Sequence, residues 1–358
     1  MKKICLALGV IFILAEGNSF AQKDSSDTNL IRVLPLAYYT PETRIAFEAV
    51  VFYSFYTTAS HRKSNIRLFA TYTQNKQFLF ILPWQVYTSG EKYFIAGNID
   101  YRRFPEYFYG LGNNTAEAIR ELYSYNALTI HSKTFKNLGN NSYVGLAVQY
   151  QALDTEIPAN SRLFSEQSKI TGADGYHYGA LGPSFMRDTR DNILCPTQGS
   201  FFEFTTLFGL GTAENTNLGF TQINLDIRDY FRINKNITWA NHVLVQFSMG
   251  DVPYRALPAL GGPNLHRGYY QGRFRDKQLL LYQTEYRQHL KGRFGVVAFA
   301  SAGMVYEEIN KVMANNIHPA AGMGLRVKIS KNDQANIRFD YSFTPDSKGF
   351  YIYFAEAF

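Results

Sequence analysis

Apolar and polar residues alternate along this chain in one segment after another. In segments 44–56, 222–231, 321–330 and 334–343, one set of alternate positions is apolar, apart from Asp229, and the opposite set includes charged residues. A period of two is typical of β-strands, because successive side chains point to opposite faces of the sheet. Charged side chains are almost never buried without partners, and the apolar rows are too continuous to face water. Strands with lipid on one face and a polar lumen on the other satisfy both requirements.

A soluble β-sandwich shows the same alternation, so the number of strands and the lengths of their connections must decide between the two folds. The pattern predicts 16 strands, near residues 31–39, 44–57, 65–75, 77–89, 92–104, 120–136, 142–154, 176–190, 199–209, 218–232, 236–249, 278–290, 293–304, 317–330, 334–344 and 349–358.

The connections between these strands favour the membrane fold. The odd-numbered connections include the long segments 105–119, 155–175, 250–277 and 305–316, whereas the even-numbered ones include short turns. Long loops on one side and short turns on the other are typical of outer-membrane barrels, as is an even number of strands. We therefore predict an all-β fold, a 16-stranded antiparallel transmembrane β-barrel of the outer membrane.

The N-terminus has the form of a secretory signal peptide. Lys2 and Lys3 are followed by a largely apolar run over 4–15 and by a small-x-small cleavage site before Gln22. The apolar run is too short to remain as a membrane-spanning helix. The expected division of the chain is a cleaved signal peptide at 1–21, a short polar periplasmic lead at 22–30 and the barrel at 31–358, with nothing left for a second domain.

Composition agrees with an exported barrel. The chain has 26 Tyr and 29 Phe but only 2 Trp, and such a bias favours strands and interfacial girdles of aromatic residues. Removal of the signal peptide leaves one cysteine, Cys195, which cannot form an intramolecular disulfide. The net charge is +7, with Lys and Arg scattered along the chain. Scattered charge fits a solvated lumen and loops better than a surface for anionic lipid, and it gives no nucleic-acid-binding stripe.

The chain ends in a strand. Segment 349–358 is rich in β-formers and stops at the aromatic residue Phe358, without a polar tail. In a barrel, the final strand must pair with the first to close the sheet, and a terminal aromatic can lie in the interfacial girdle. We expect the seam of the barrel between 31–39 and 349–358.

Segment 257–269 resembles the sixth extracellular loop of the BamA/TamA-like superfamily of outer-membrane assembly proteins. It contains Leu-Pro-Ala-Leu-Gly-Gly followed by Leu-His-Arg-Gly-Tyr, and the strand count makes it the eleventh connection, hence the sixth outward loop. Segments 34–43, 107–113 and 187–199 resemble further parts of that family, in the same order. The resemblance covers essentially the whole mature chain.

The resemblance implies a role for particular residues. It implies that the loop tip folds back into the lumen, with the loop-6 motif formed by His266, Arg267, Gly268 and Tyr269. In the family, acidic residues on strands 12 and 13 hold the arginine. The matching lumen partners of Arg267 are Glu285 and Ser301, where Ser301 replaces the usual Asp. The alternative is that Arg267 is an exposed loop residue. The resemblance also implies a C-terminal β-signal at Gly349, Phe354 and Phe358.

Function is expected to follow the family. POTRA modules usually precede such barrels, and no room for one lies before the first strand. The expected function is assistance in the assembly or insertion of outer-membrane proteins, beside other outer-membrane or periplasmic assembly proteins and in contact with outer-membrane lipid and lipopolysaccharide. The alternatives are a scaffolding barrel that anchors a complex and a dedicated secretion channel.

The sequence gives little support to an enzyme. The seven His show no metal-ligand spacing, and there is neither a Gly-x-Ser-x-Gly elbow nor a phosphate-binding loop. A barrel phospholipase with a scattered Ser and His is a minor alternative. We expect no catalytic residues, no metal and no cofactor.

Overall fold

Sixteen antiparallel strands close into one barrel in the computed structural model, which describes residues 30–40, 43–60, 62–166, 170–214, 216–308, 316–328 and 336–358. The predicted signal peptide and nearly all of the polar lead lie outside the described residues. The predicted fold class is confirmed, and each predicted strand overlaps one observed strand.

The strands of the barrel are β1 (Leu30–Thr40), β2 (Arg44–Phe55), β3 (Ser64–Thr73), β4 (Phe78–Tyr87), β5 (Tyr93–Phe108), β6 (Glu121–Gly139), β7 (Ser142–Glu156), β8 (Gly175–Asp188), β9 (Gly199–Ala213), β10 (Thr216–Asn234), β11 (Ile237–Gly250), β12 (Gln278–His289), β13 (Phe294–Tyr306), β14 (His318–Lys328), β15 (Asn336–Phe343) and β16 (Lys348–Phe354).

The described helices are short. A four-residue α-helix, α1 (Leu163–Glu166), lies between β7 and β8, and three 3₁₀ turns cover Ser89–Glu91, Glu117–Ile119 and Tyr254–Ala256. None of the helices among the described residues is long and apolar enough to cross a membrane.

The outer surface of the barrel is apolar, unlike the surface of a soluble protein. On β7, the side chains of Val144, Leu146, Val148 and Tyr150 are exposed on the outer surface. On the neighbouring β8, the alternate residues Tyr176 and Tyr178 are buried on the lumen side. An apolar outer surface avoids water only if lipid covers it, which is the arrangement of transmembrane barrels.

The connections divide between the two ends of the barrel. The odd-numbered connections, which include 109–120, 157–174 and 251–277, lie at the loop end, and the even-numbered connections lie at the turn end. One aromatic cluster lies at the loop end. It contains Phe108 at the end of β5, Phe164 from the connection 157–174 and Tyr254 from the connection 251–277. Side chains of the described connections are therefore packed together at the loop end of the lumen.

Candidate functional site

Loop 6, the connection 251–277, folds back into the barrel. Its two arms, Ala259–Leu260 and Phe274–Arg275, pair as a two-residue antiparallel ribbon. Beyond the ribbon, Tyr269 packs with Leu260 and Phe274 against buried residues of β11, β12, β13 and β14. This apolar seat places the tip of the loop, with the motif His266 to Tyr269, against the inner wall of the barrel.

Arg267 is enclosed by two carboxylates and an aromatic ring. Its Nη2 pairs with Glu285 Oε1 on β12, and its Nη1 lies 2.5 Å from Asp340 Oδ2 on β15. Its Cζ lies 3.6 Å above the centre of the Phe299 ring on β13. The Arg267 side chain is only 2% exposed, and both carboxylates are fully buried. A guanidinium cannot lose its charge in a protein. Removing either carboxylate would therefore leave a buried positive charge with one partner fewer, which is destabilising.

The other three residues of the motif fix the tip in one position. His266 donates its backbone N–H to Gln283 Oε1 at 3.0 Å, and its Nδ1 lies 3.0 Å from the Ser301 hydroxyl. Tyr269 donates its hydroxyl to the carbonyl of Pro319 at 3.1 Å.

Gly268 is required at the closest point of approach. Its φ is +115°, and a Cβ placed there would meet Thr344 Cγ2 at 2.5 Å. Its N–H donates to the Tyr351 hydroxyl on β16 at 3.0 Å, and its carbonyl accepts from Ser347. Glycine alone combines this φ with this contact.

The carboxylates that hold Arg267 belong to a closed ring of charges. The ring runs from Arg267 through Glu285, Arg287, Glu356, Arg326 and Asp340 back to Arg267. Its weakest member is the pair of Arg287 and Glu356, at 4.0 Å. Each charge in the ring has opposite charges on both sides, which offsets the large cost of removing it from water. The ring joins loop 6 to the chain end through the walls of β12, β14 and β15.

The chain end turns into the lumen. β16 ends at Phe354, Ala355 has φ +63°, and residues 355–358, the inward tail, leave the sheet. Glu356 accepts from Arg326 Nε at 2.7 Å and from Asn336 Nδ2 at 2.8 Å. Phe358 is buried against Tyr230 and Ala240 on the inner wall.

A turn at the opposite wall meets the inward tail. The carbonyl of Leu194, in the connection 189–198, accepts from the N–H of Glu356 at 3.2 Å. In the same turn, burial alone would raise the pKa of Asp191, but hydrogen bonds from the hydroxyl and N–H of Thr197 outweigh burial and lower it. The ionised Asp191 carboxylate thus organises a turn that covers the lumen beside the tail.

The seam between β1 and β16 is the weakest pairing of the barrel. Among the described residues, Tyr39 and Ile352 are the one registered pair of this seam. On its other side, β1 pairs with β2 along its whole length, from Leu30 opposite Ser54 to Thr40 opposite Arg44. β16 ends at Phe354, which this register places opposite Ala37, and Tyr38 packs on Tyr353. Among the described residues, no strand pairs with this edge of β1 from 30 to 36, and an open edge can accept another strand.

The sequence of the chain matches a family model for the Omp85 superfamily domain over residues 56–355. The chain belongs to the Omp85 superfamily. Among solved structures, this Omp85 barrel is similar to BamA from Haemophilus ducreyi lacking POTRA domains 1-3, with a TM-score of 0.61 and 12% identity over 92% of this chain and 70% of that chain. No curated protein sequence matches the chain.

Two further structures are similar to the Omp85 barrel. CdiB from Acinetobacter baumannii gives a TM-score of 0.56 at 9% identity, over 90% of this chain and 59% of that chain. CdiB from Escherichia coli gives a TM-score of 0.55 at 10% identity, over 92% of this chain and 67% of that chain. At these identities, the likeness shows the fold alone. The chain spans less than two thirds of the length of the Acinetobacter protein.

The structure brings some predicted site residues together and separates others. Arg267 lies in the lumen and contacts Glu285, as expected from the resemblance, so it is not an exposed loop residue. Ser301, predicted as the second partner of Arg267, instead contacts His266. The second carboxylate is Asp340, which the sequence places on the polar face of its strand without indicating this partner.

The three residues of the predicted C-terminal β-signal lie in two different places. Gly349 and Phe354 lie in β16, opposite Ser342 and Ile337 of β15. Phe358 lies inside the lumen and not in the interfacial girdle, and the final strand stops four residues before the chain end. The physical reason is the position of Glu356, which finds cationic partners inside the barrel.

One Ser–His contact lies in the described part of the lumen. The contact between Ser301 and His266 has the composition of a nucleophile and base, and both residues are buried where the tip of loop 6 meets the inner wall. Among the described residues, no group of three or more His, Cys, Asp or Glu could hold a metal ion.

Replacing Arg267 with Ala is expected to destabilise the barrel. The substitution leaves Glu285 and Asp340 buried with one cation fewer, which corresponds to a loss of about 3–5 kcal/mol. The measurement is the temperature at which the folded band disappears on gels of detergent-solubilised protein. Arg120→Ala is the matched control, because its ion pair with Glu117 is exposed and worth little. Equal unfolding temperatures for Arg267→Ala and wild type would contradict the seated loop.

Replacing Ser301 with Asp tests the corrected partnership. The family resemblance alone predicts a gain in stability, but the structure places position 301 beside His266 and gives Arg267 two carboxylates already. The new buried carboxylate would lack a guanidinium, so we expect the barrel to lose at least about 1 kcal/mol. Ser301→Ala, which removes a single hydrogen bond, is the control. A higher unfolding temperature for Ser301→Asp would show that Arg267 reaches position 301.

Proposed function

We propose that this Omp85 barrel assists the assembly of β-barrel proteins in the outer membrane by offering the open edge of β1 to incoming strands. The observation that supports the proposal is the seam, where β1 and β16 share one registered pair while β1 and β2 are paired throughout. Backbone N–H and C=O groups along an open edge can bind an extended segment through main-chain hydrogen bonds, whatever its side chains.

The closed lumen favours this function over a dedicated secretion channel. The tip of loop 6 is held in the lumen by two carboxylates of the wall, and the inward tail packs inside the barrel near its turn end. A polar cavity of about 390 Å³ lies between β6 and β11, and its lining includes His131, Gln149 and Gln222. A channel would have to release both loop 6 and the tail before a chain could pass, whereas templating at the seam leaves both in place.

The proposed setting is the outer membrane. The exposed apolar rows on the outer surface need lipid, and the family is one of outer-membrane barrels. Outer-membrane lipid and lipopolysaccharide, together with other outer-membrane or periplasmic assembly proteins, are the proposed partners. A scaffolding barrel that moves nothing remains the alternative, and it would need no open edge.

A disulfide across the seam tests the proposal. Tyr39→Cys and Ile352→Cys, in a Cys195→Ser background, join the one registered pair of β1 and β16. An incoming strand that pairs along the whole of β1 must displace this pair. We therefore expect oxidation to prevent full pairing and to lower the levels of many outer-membrane barrels, as measured by quantitative proteomics, and reduction to restore them.

The matched control is a disulfide in the neighbouring sheet. Ala49→Cys and Ala70→Cys join β2 to β3, which are fully paired, so this lock should have no effect. Normal levels of all barrels with the seam locked would contradict an assembly role at this edge. Loss of a single protein or complex would instead support a dedicated channel or scaffold.

A further inference from the structure

Extending β16 would place the inward tail against the open part of β1. Tyr39 and Ile352 are paired in antiparallel register, so continuing both strands by five residues brings Leu34 opposite Ala357. In that arrangement, residues 355–358 would pair with residues 33–36 and close much of the seam. Residues 355–358 therefore have two alternative positions, inside the lumen or paired along β1.

The side chain at position 356 distinguishes the two places. Phe350 is exposed on the outer surface and its neighbour Tyr351 is buried in the lumen. Continued alternation along an extended β16 would put Glu356 on the outer face with Phe350. A carboxylate on the lipid face destabilises a barrel, although less near the interface than at the midplane. In the lumen, the same carboxylate accepts from Arg326 and Asn336 and is only 4% exposed.

The backbone of Ala355 opposes the inward position. Its φ of +63° lies in the left-handed region, which is unfavourable for a residue with a Cβ. An extended β16 would remove this strain and would gain main-chain hydrogen bonds to β1. The ion pair of Glu356 thus favours the inward tail, whereas relief of the strain at Ala355 and hydrogen bonds to the open edge of β1 favour an extended β16.

We infer that Glu356 is a latch that keeps the seam open: paired with Arg326, it retains the chain end in the lumen, and without that pair the chain end extends β16 along β1. Arg326 also pairs with Asp340, which holds Arg267. The latch is therefore connected to loop 6, and release of the loop tip would weaken it. The inference deepens the proposed function, because it rests on the same seam and names the residue that controls it.

Two crosslinks with one shared cysteine distinguish the states. In a Cys195→Ser background, Ala357→Cys is combined with Ala240→Cys, whose cluster packs against the inward tail, or with Leu34→Cys, which lies opposite position 357 only in an extended β16. A short bifunctional thiol reagent is applied to the purified, folded barrel in detergent or lipid. The ratio of the 34–357 product to the 240–357 product measures the balance between the two states.

Without a change at position 356, the 240–357 product should dominate. Glu356→Leu should raise the ratio at least about tenfold, since loss of a buried pair is worth more than a tenfold change in an equilibrium. Ala355→Val should raise it as well, because a β-branched residue tolerates a positive φ poorly, and Ala355→Gly should lower it. Glu203→Leu is the control: it removes a lumen carboxylate that pairs with Lys133 outside the ring, and it should leave the ratio unchanged.

A ratio that does not respond to Glu356→Leu or to the two Ala355 variants would overturn the latch. If Glu356→Leu does not fold, the Ala355 variants decide, because they leave every ion pair in place. These crosslinks are measured without any client protein. A shifted ratio together with normal outer-membrane assembly in cells would therefore uphold the latch while contradicting the proposed function.

Discussion

A guanidinium that cannot be neutralised, enclosed in the lumen of a membrane barrel, is the constraint on which the rest of this structure depends. Arg267 has almost no contact with water and therefore needs both Glu285 on β12 and Asp340 on β15. Those carboxylates in turn face Arg287 and Arg326, which engage Glu356. The ion pairs that compensate the buried charge of Arg267 thus fix the tip of loop 6, the inner faces of three strands and the course of the chain end.

The same arrangement explains why the seam is weak. The residues that would complete β16 are held in the lumen by the ring, so β1 is left with an open edge. Closure of the lumen and opening of the seam are, in this protein, two results of one network. The proposed function uses the side of the barrel, because an open edge can receive a strand.

Sequence reasoning could find those features that repeat or that stand in a motif. The alternation of apolar and charged residues predicted all sixteen strands, because each strand faces lipid and lumen along its whole length. The Arg-Gly-Tyr segment pointed to Glu285, since the partner lies on the next strand in the chain. Asp340 lies 73 residues from Arg267, and only the folding of loop 6 back against the sheet brings them together. The inward turn at Ala355 was missed because the strand pattern of the last ten residues is continuous except for Glu356, a single polar residue whose importance depends on the distant Arg326.

Residue-resolved hydrogen exchange of the β1 amides in the folded barrel would test the open edge most directly. Along 30–36, the N–H groups that point toward β2 should be protected, and the alternate N–H groups on the edge away from β2 should exchange as fast as those of exposed loops. β2, which is paired on both sides, should be protected throughout. Uniform protection of β1 at the level of β2 would mean that the seam is closed, and it would contradict both the open edge and the function proposed for it.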